Sequence, residues 1–424
     1  MSHAELIRHP GLPALVITPQ PHASSISVVL LVRAGSRDDP PHREGMAHLV
    51  EHMVFQGTRR RPAPHQVVAA LDRVGGELNA ETDRECTSYY VQLPPAHLEL
   101  AVASLADLVE APLFLEQALT KEKRVVREEI AQFLDTPEDF VQELLRRGLW
   151  GEHPLAHCEL GDEDSVARIK TRHLRQFLAD HYRPEQMVLS VAGATTPEAV
   201  LAAARQVPWP AAGGSAPPPR PVPTVPPGQQ LQENEDTEET HLALAFPALP
   251  LGDPDVPALI LLNAMLGGCM TSRLFQEVRE KRGLAYDVDS ELDLLSDGGL
   301  WSVSTGVRPE RAAEALRVIG HQLGLLAQGR FEQEELDHAR GHSLGTSLLW
   351  FEHHRNLADW QARHLLLQGQ LGDAARRQRE LEAVDLAQAR EVAQRLLDPA
   401  RLVLAVVGPD DDLPALHRAL LGCW

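Results

Sequence analysis

The sequence predicts two homologous domains that each combine strands and helices, and three observations support this fold class. The chain has 424 residues, enough for two domains with separate cores. A proline-rich segment over 207–230 interrupts the chain near its middle, and such segments act as semi-rigid spacers. The order of predicted elements before this segment recurs after it. We therefore predict an N-terminal domain over 1–206, a linker over 207–230 and a C-terminal domain over 231–424.

Residue type and periodicity define the elements of the first half. Runs of β-branched residues bounded by Pro or Gly predict two strands within 12–35, followed by Glu77–Thr82, Thr87–Leu93 and Met187–Gly193. Apolar residues at helical spacing predict helices over Ala63–Val74, His97–Glu110, Glu116–Asp135 and Ser165–Tyr182.

The second half repeats this pattern. It predicts strands over Thr240–Phe246, Gly299–Gly306 and Arg401–Gly408, and helices over Val256–Leu266 and Pro309–Gln328. The helix over Val256–Leu266 is apolar, and this half contains no His-x-x-Glu-His sequence. We therefore expect metal chemistry in the first half only.

A further helix, over Gly45–Phe55, is predicted to be buried, because apolar residues cover most of its circumference. His48 and His52 are four residues apart and share one face, and Glu51 lies on its flank. This spacing allows one helix to give two nitrogen ligands to zinc. A neighbouring carboxylate can accept a proton from metal-bound water. The motif alone fits two satisfied core histidines equally well.

A third ligand is predicted on the helix over Glu116–Asp135. On a helical wheel, Glu122 and Glu129 fall within roughly 40° of the centre of the apolar face, whereas Glu128 falls on the opposite side. A carboxylate on a core-facing stripe is costly unless it is paired or bound to metal. The pattern therefore favours Glu129 over Glu128 as a ligand. The alternative for Glu122 and Glu129 is a buried carboxylate paired with Arg or Lys.

The inverted order His-x-x-Glu-His, with Gly45-Met46-Ala47 before it and residues 53–58 after it, resembles the pitrilysin-type inverzincin metallopeptidases of family M16. The resemblance extends over essentially the whole chain and is to the short bacterial, processing-peptidase-like members. It implies an α+β fold in which each domain has a mainly antiparallel sheet flanked by helices.

The resemblance also implies a set of roles for the first half. One Zn²⁺ per chain is expected on His48, His52 and Glu129. Glu51 is expected to be the general base, and Glu122 the carboxylate that orients a ligand.

Two further segments match substrate-binding elements of that family. Leu78–Thr82 resembles its Asn-Ala-x-Thr edge strand, which implies that Asn79, Ala80 and Thr82 bind the peptide backbone by strand addition. In the second half, Arg279 and Tyr286 match the two functional positions of its Arg/Tyr segment. Arg can hold a peptide carbonyl, and a Tyr hydroxyl can donate to a developing oxyanion. Without the resemblance, these residues would be ordinary turn, surface or core residues.

Composition limits the possible partners. The net charge of −20 argues against nucleic-acid binding, and no apolar run reaches the ~18 residues of a membrane span. The four cysteines show no C-x-x-C pairing, and no signal peptide is visible, so a cytoplasmic location is expected.

The function predicted from these features is that of a zinc-dependent endopeptidase that hydrolyses peptides or unfolded polypeptides in a closed chamber. A homodimer is expected, because one chain supplies only half of the four domains found in the long members of the family. One alternative is a non-catalytic peptide-binding or scaffolding subunit of a heteromeric peptidase. Another is a subunit that is active only with a different partner chain.

Overall fold

The computed structural model describes residues 3–213, 219–409, 412–422 and 424. Within these residues the strands fall into two sheets. They are β1 (Glu5–Ile7), β2 (Ala14–Pro19), β3 (Ile26–Val32), β4 (Glu77–Thr82), β5 (Thr87–Leu93), β6 (Met187–Gly193), β7 (Gln230–Asn234), β8 (Thr240–Pro247), β9 (Ala285–Leu294), β10 (Gly299–Val307) and β11 (Val403–Gly408).

Fifteen α-helices lie in the same described ranges. They are α1 (Met46–Val54), α2 (Pro64–Asp72), α3 (Leu98–Glu110), α4 (Glu116–Leu134), α5 (Pro137–Trp150), α6 (Glu163–Arg168), α7 (Thr171–His181), α8 (Pro197–Arg205), α9 (Val256–Leu266), α10 (Ala312–Ala327), α11 (Gln333–Phe351), α12 (His354–Gln368), α13 (Ala374–Ala383), α14 (Leu386–Leu396) and α15 (Leu413–Leu421). None of the helices in the described residues has the length and apolarity to cross a membrane.

The first sheet has the strand order β1-β2-β6-β3-β5-β4. Only the β2/β6 pair is parallel, and the other neighbours are antiparallel. One face packs against α1, α3 and α4 in a continuous apolar core, and α12 covers the other face. The central strand β3 is accordingly buried along its whole length. Strand β4 alternates exposed and half-buried residues, as expected for the last strand of a sheet.

The second sheet repeats this order without the extra first strand, as β7-β11-β8-β10-β9. Again one pair is parallel, β7/β11, and the rest are antiparallel. Helices α9 and α10 cover one face, and α5 covers the other. The predicted fold class, two homologous α+β domains with mainly antiparallel sheets flanked by helices, is confirmed. Each sheet is mixed through a single parallel pair.

The two compact units are discontinuous in sequence. Unit 1 comprises 1–130, 158–220 and 348–374, and unit 2 comprises 131–157, 221–347 and 375–424. They therefore differ from the contiguous domains 1–206 and 231–424 expected from the sequence. Helices α5 and α12 are amphipathic or mixed, and nothing in such a pattern shows which sheet a helix will cover.

The segment predicted as a linker forms neither helix nor strand over its described residues 207–213 and 219–229, and its last residue, Gln230, begins β7. Pro217 and Pro218 lie outside the described residues. The helix predicted over Ser165–Tyr182 is divided into α6 and α7. Its break is at Ile169, whose backbone is extended and whose side chain is fully buried, so core packing interrupts the helical pattern there.

A close backbone contact fixes the start of α1. Gly45 precedes the helix with φ +84°, and a Cβ there would lie 2.4 Å from the carbonyl oxygen of Leu160. Only glycine fits, since it tolerates the left-handed conformation and leaves room for the neighbouring chain.

We predict that Gly45→Ala lowers the stability of unit 1 by about 3 kcal/mol or more, because the backbone near Leu160 must move. Gly75→Ala is the matched control: Gly75 also has a positive φ (+71°), but nothing lies within 4 Å of its Cβ position. The control should cost only about 1 kcal/mol of conformational strain. Thermal unfolding of each variant measures the difference, and equal losses would show that the close contact is unimportant.

Candidate metal centre

Helix α1 is held at its N-terminus by a carboxylate from the preceding loop. Asp39 Oδ2 accepts hydrogen bonds from the backbone N–H groups of Gly45 (2.7 Å) and Met46 (3.1 Å), and its Oδ1 accepts one from Ala47 (2.9 Å). These bonds satisfy donors that a helix leaves free at its start. Sequence reasoning missed Asp39, because it lies six residues before Gly45 and outside the usual capping position.

The histidine pair on α1 lies opposite its apolar residues. Met46, Leu49 and Met53 are fully buried, which fixes the rotation of the helix about its axis. His48 and His52 are half-buried on the remaining side, and their Nε2 atoms are 3.2 Å apart.

Helix α4 brings a carboxylate to this pair. Glu129 Oε2 lies 3.8 Å from His48 Nε2 and 3.6 Å from His52 Nε2. The next residue toward the N-terminus, Glu128, is exposed, and Glu122 is 4% exposed. The structure thus orients these three glutamates as the helical wheel predicts.

His48 Nε2, His52 Nε2 and Glu129 Oε2 have the spacing that a tetrahedrally coordinated cation requires. Zinc bonds of about 2.0–2.2 Å to nitrogen and oxygen place neighbouring ligand atoms roughly 3.4 Å apart, close to the three separations observed. Glu129 Oε2 is buried and accepts no hydrogen bond within the described part of the chain, so a cation would satisfy it. Among the described residues, His48, His52 and Glu129 are the one group of His, Cys, Asp or Glu side chains close enough to share an ion. The donor set fits zinc.

Glu122 orients one of the imidazoles. His52 Nδ1 lies 3.2 Å from Glu122 Oε2, so a proton on Nδ1 donates to the carboxylate and leaves the Nε2 lone pair directed toward Glu129. A carboxylate behind a ligating histidine is a common feature of metal sites. Lys121 Nζ lies 3.4 Å from Glu122 Oε1 and partly balances its charge. His48 Nδ1 is buried and has no hydrogen-bond partner among the described residues.

Burial also sets the protonation of the cluster. Desolvation, reinforced by the charge of His52, lowers the pKa of His48 to about 3, so this imidazole is neutral and able to bind metal at ordinary pH. Desolvation raises the pKa of Glu129, against the opposing effect of His52.

Glu51 lies next to the cluster without belonging to it. Its Oε2 accepts a hydrogen bond of 2.5 Å from Thr82 Oγ1, at the end of β4. Burial raises the pKa of Glu51, whereas the Thr82 hydrogen bond and His52 lower it. A raised pKa suits a carboxylate that must take up and release a proton.

The predicted peptide-binding strand is at the edge of the first sheet. Strand β4 pairs only with β5 among the described strands, so its outer edge is open. Asn79 is exposed, and its Oδ1 accepts a hydrogen bond from the N–H of Ala80. Thr82 joins this strand to Glu51. The structure therefore brings Thr82 to the predicted base and leaves Asn79 and Ala80 along the open edge.

Arg279 and Tyr286 lie in unit 2. Arg279 belongs to a π-helical segment, Phe275–Glu280, and its guanidinium lies 4.7 Å from the ring centre of Phe275 and 4.9 Å from that of Tyr286. Such stacking holds the arginine in place. Tyr286 is 85% exposed. Arg282, the nearby alternative, pairs with Glu277 instead. Arg279, which matches the family segment in the sequence, is thus the arginine that contacts Tyr286.

A His-x-x-Glu-His helix with a carboxylate from a second helix, in one half of a repeated α+β architecture, is typical of the inverzincin class of metalloproteins. Family comparison agrees. The model described as "Insulinase (Peptidase family M16)" matches residues 15–163, and that described as "Peptidase M16 inactive domain" matches residues 168–341. The chain belongs to peptidase family M16, as the sequence resemblance indicated.

Similar proteins carry matching names. The chain is 31% identical to the uncharacterized zinc protease YmxG of Bacillus subtilis, over 95% of this chain and 97% of that one. It is 32% identical to an uncharacterized zinc protease of Streptomyces coelicolor, over 97% and 91%. Similarity to these relatives supports a protease with zinc as its metal.

Two solved structures share the fold. A protease from Helicobacter pylori matches with a TM-score of 0.91 at 22% identity, covering 96% of this chain and 100% of that one. A structure from Pseudomonas fluorescens, described as a peptidase M16 inactive domain, matches with a TM-score of 0.88 at 21% identity, covering 96% and 98%.

We predict that His48→Ala, His52→Ala and Glu129→Ala each abolish stoichiometric zinc, because each removes one of three ligands. Glu128→Ala is the matched control, one residue away on the exposed side of α4, and should keep its zinc. Elemental analysis of the purified, dialysed proteins measures the metal content. Equal loss from Glu128→Ala and Glu129→Ala would falsify the ligand assignment.

Proposed function

We propose that this protein is a zinc-dependent endopeptidase that hydrolyses peptides or unfolded polypeptides. The observation that carries the proposal is the convergence of His48 Nε2, His52 Nε2 and Glu129 Oε2, with the separate carboxylate of Glu51 beside them. Ligands and a base are thus provided by different side chains, as metal-assisted hydrolysis requires. The names of the relatives point in the same direction.

Each side chain then has one task. His48, His52 and Glu129 would hold zinc, which when bound lowers the pKa of a water molecule and polarises a carbonyl group. Glu51 takes the proton of the attacking water and gives it to the leaving amine. Because Thr82 donates to Oε2 of Glu51, Oε1 is the oxygen left to carry that proton.

The open edge of β4 is the proposed binding element for substrate. An extended peptide can pair with such an edge through backbone hydrogen bonds, which do not depend on its sequence. In a folded protein most strands are already paired on both sides, so few of its segments can pair with this edge. Peptides and unfolded polypeptides, held in a closed chamber, are therefore the proposed substrates.

We predict that Glu51→Gln keeps stoichiometric zinc but lowers kcat by a factor of roughly 10² or more, because the amide cannot accept the proton. Glu128→Gln carries the same change on the exposed side of α4 and should retain full activity. Zinc content and hydrolysis of a mixed peptide library are measured on the same samples, with and without chelator. Loss of zinc from the Glu51 variant would contradict its assignment as a base.

A second candidate function is a non-catalytic peptide-binding or scaffolding subunit. It is favoured by the match of residues 168–341 to a model described as an inactive domain, and by the similar description of the Pseudomonas fluorescens structure. The same library separates the two functions, because such a subunit binds peptides but releases them uncut even when it is loaded with zinc.

We also propose that the protein acts as a homodimer in the cytoplasm. Arg279 and Tyr286 are in unit 2, whereas the metal ligands are in unit 1, and a two-fold dimer could join these sets from different chains. Cys86 and Cys269 are free thiols, as is usual in a reducing compartment.

A mixing experiment tests completion in trans. Glu51→Gln protein and Tyr286→Phe protein are each expected to be inactive, and a mixture that exchanges subunits should regain activity. In the mixed dimer one site is intact and the other carries both changes. Hydrolysis is followed after mixing, with subunit exchange checked by differently labelled chains. Exchange without recovery would show that the residues do not combine across subunits.

A further inference from the structure

The proline-rich segment over 207–230 contains one charged residue, Arg220. Pro219 and Pro221 lie on either side of it, and prolines restrict the backbone around them. Little conformational freedom is therefore lost when this side chain is held in one place. Arg220 belongs to unit 1, and its side chain is only 6% exposed. The proposed chemistry does not yet give it a task.

The guanidinium of Arg220 binds two carboxylates that come from different segments of unit 1. Its Nε and Nη2 donate to Asp38 Oδ1 (3.0 Å) and Oδ2 (2.7 Å), and its Nη1 donates to Glu85 Oε1 (3.0 Å). Nη2 also donates to the carbonyl oxygen of Glu85. The side chains of Asp38 and Glu85 are buried, so each needs a cation beside it. Only arginine has the planar set of donors that makes these contacts together.

Asp38 connects Arg220 to the metal-binding helix. It directly precedes Asp39, whose carboxylate accepts the hydrogen bonds that hold the start of α1. Among the described residues, only Arg220 forms an ion pair with Asp38. Arg220 therefore fixes the residue next to the one that positions α1 and its two histidines.

Glu85 connects Arg220 to the proposed base and to the open strand edge. It lies in the turn over 83–86, which joins β4 to β5. Thr82 is the last residue of β4, immediately before this turn, and it donates a hydrogen bond to Glu51. Arg220 thus binds the turn that follows Thr82.

Other contacts between the same segments show what Arg220 adds. Backbone hydrogen bonds of 3.0 and 3.1 Å join residues 36–37 to the turn, and Arg37 Nη1 donates to Glu85 Oε1 (2.7 Å). These contacts end at Arg37. Arg220 extends the connection to Asp38, and so to the residue that precedes the helix cap.

We infer that Arg220 is a positioning residue for the candidate metal centre. Through Asp38 it steadies the start of α1, which carries two of the ligands. Through Glu85 it steadies the end of β4, which carries the proposed peptide edge. The inference rests on the proposed function where it concerns the alignment of Glu51 with a peptide, whereas its effect on the zinc ligands is measurable without substrate.

Zinc affinity is the first test. Arg220→Ala leaves Asp38 without its cation, so zinc should bind about tenfold more weakly and kcat should fall about tenfold. Arg61→Ala is the matched control and should change neither value, because Arg61 also pairs with a buried carboxylate of unit 1, that of Asp107 on α3 (2.9 Å). Competition with a chelator measures the affinity at a temperature at which every variant is folded. Equal losses in the two variants would indicate a general loss of stability and overturn the inference.

Hydrogen–deuterium exchange of the metal-free proteins locates the effect. The backbone amides of residues 45–47, which Asp39 binds, should exchange several-fold faster in Arg220→Ala than in the wild type or in Arg61→Ala. Exchange at 45–47 that is the same in all three proteins would show that Arg220 does not steady α1.

Two further variants show whether Asp38 transmits the effect. Arg220→Lys keeps the charge and should fold even if Arg220→Ala does not. Its single ammonium group cannot reproduce the bidentate contact, so zinc should still bind several-fold more weakly. Asp38→Asn should weaken zinc binding as well, and adding either Arg220 change to it should have no further effect, because the two side chains act as a unit. Unchanged zinc affinity in Arg220→Lys, or additive losses in the double variant, would overturn the inference.

Peptide hydrolysis separates this inference from the proposed function. A wild-type protein that cuts no peptide, while Arg220→Ala still weakens zinc binding, would overturn the endopeptidase and leave the positioning role. Cleavage by the wild type, with zinc affinity and amide exchange unchanged in Arg220→Ala, would support the endopeptidase and overturn the inference.

Discussion

The convergence of two imidazole nitrogens and one carboxylate oxygen within 3.8 Å is the constraint on which unit 1 depends. Such groups normally separate and bind water, because a buried polar group without a partner is unfavourable. They remain together here because both helices that carry them are fixed by other contacts. Asp39 holds the start of α1, and the apolar face of α4 packs into the core through Val126 and Ile130. Both helices are thus held in place by contacts that do not involve the metal ligands.

Unit 2 shows how a polar side chain at the centre of the same architecture can be hydrogen-bonded without metal. Helix α9 occupies the place of α1 against its own sheet and is apolar almost throughout. Its one central polar side chain, Asn263, accepts hydrogen bonds at Oδ1 from Ser290 (2.7 Å) and Trp301 (2.8 Å). Ser290 lies on the edge strand β9, as Thr82 lies on the edge strand β4. The neutral amide oxygen of Asn263 accepts hydrogen bonds from two donors, whereas the Glu51 carboxylate accepts one from Thr82. The polar group on the central helix of this half is therefore paired without a cation.

Local periodicity made part of the site predictable. Residues four apart on α1 and seven apart on α4 must share a face, so His48, His52 and Glu129 could be chosen and Glu128 excluded from the sequence. Contacts between distant segments could not be predicted in the same way. Asp39 binds the start of α1 from across a loop. Phe275 is aligned with Arg279 by a π-helical turn that has no clear sequence signal. The break between α6 and α7 at Ile169 reflects the burial of that side chain. The sheet that each of α5 and α12 covers is likewise decided by packing.

The placement of α12 has a consequence for synthesis on the ribosome. Chains generally fold from the N-terminus as they emerge, but unit 1 includes residues 348–374. Until that segment leaves the exit tunnel, the face of the first sheet that contains Val29 and Ala192 lacks the cover of Leu357 and Ala358. The nascent first unit therefore cannot reach its final form early. On a ribosome that stalls within the second half, the chain would expose an apolar sheet face to chaperones. Folding of the unit that carries the candidate metal centre is in this way delayed until most of the polypeptide has been made.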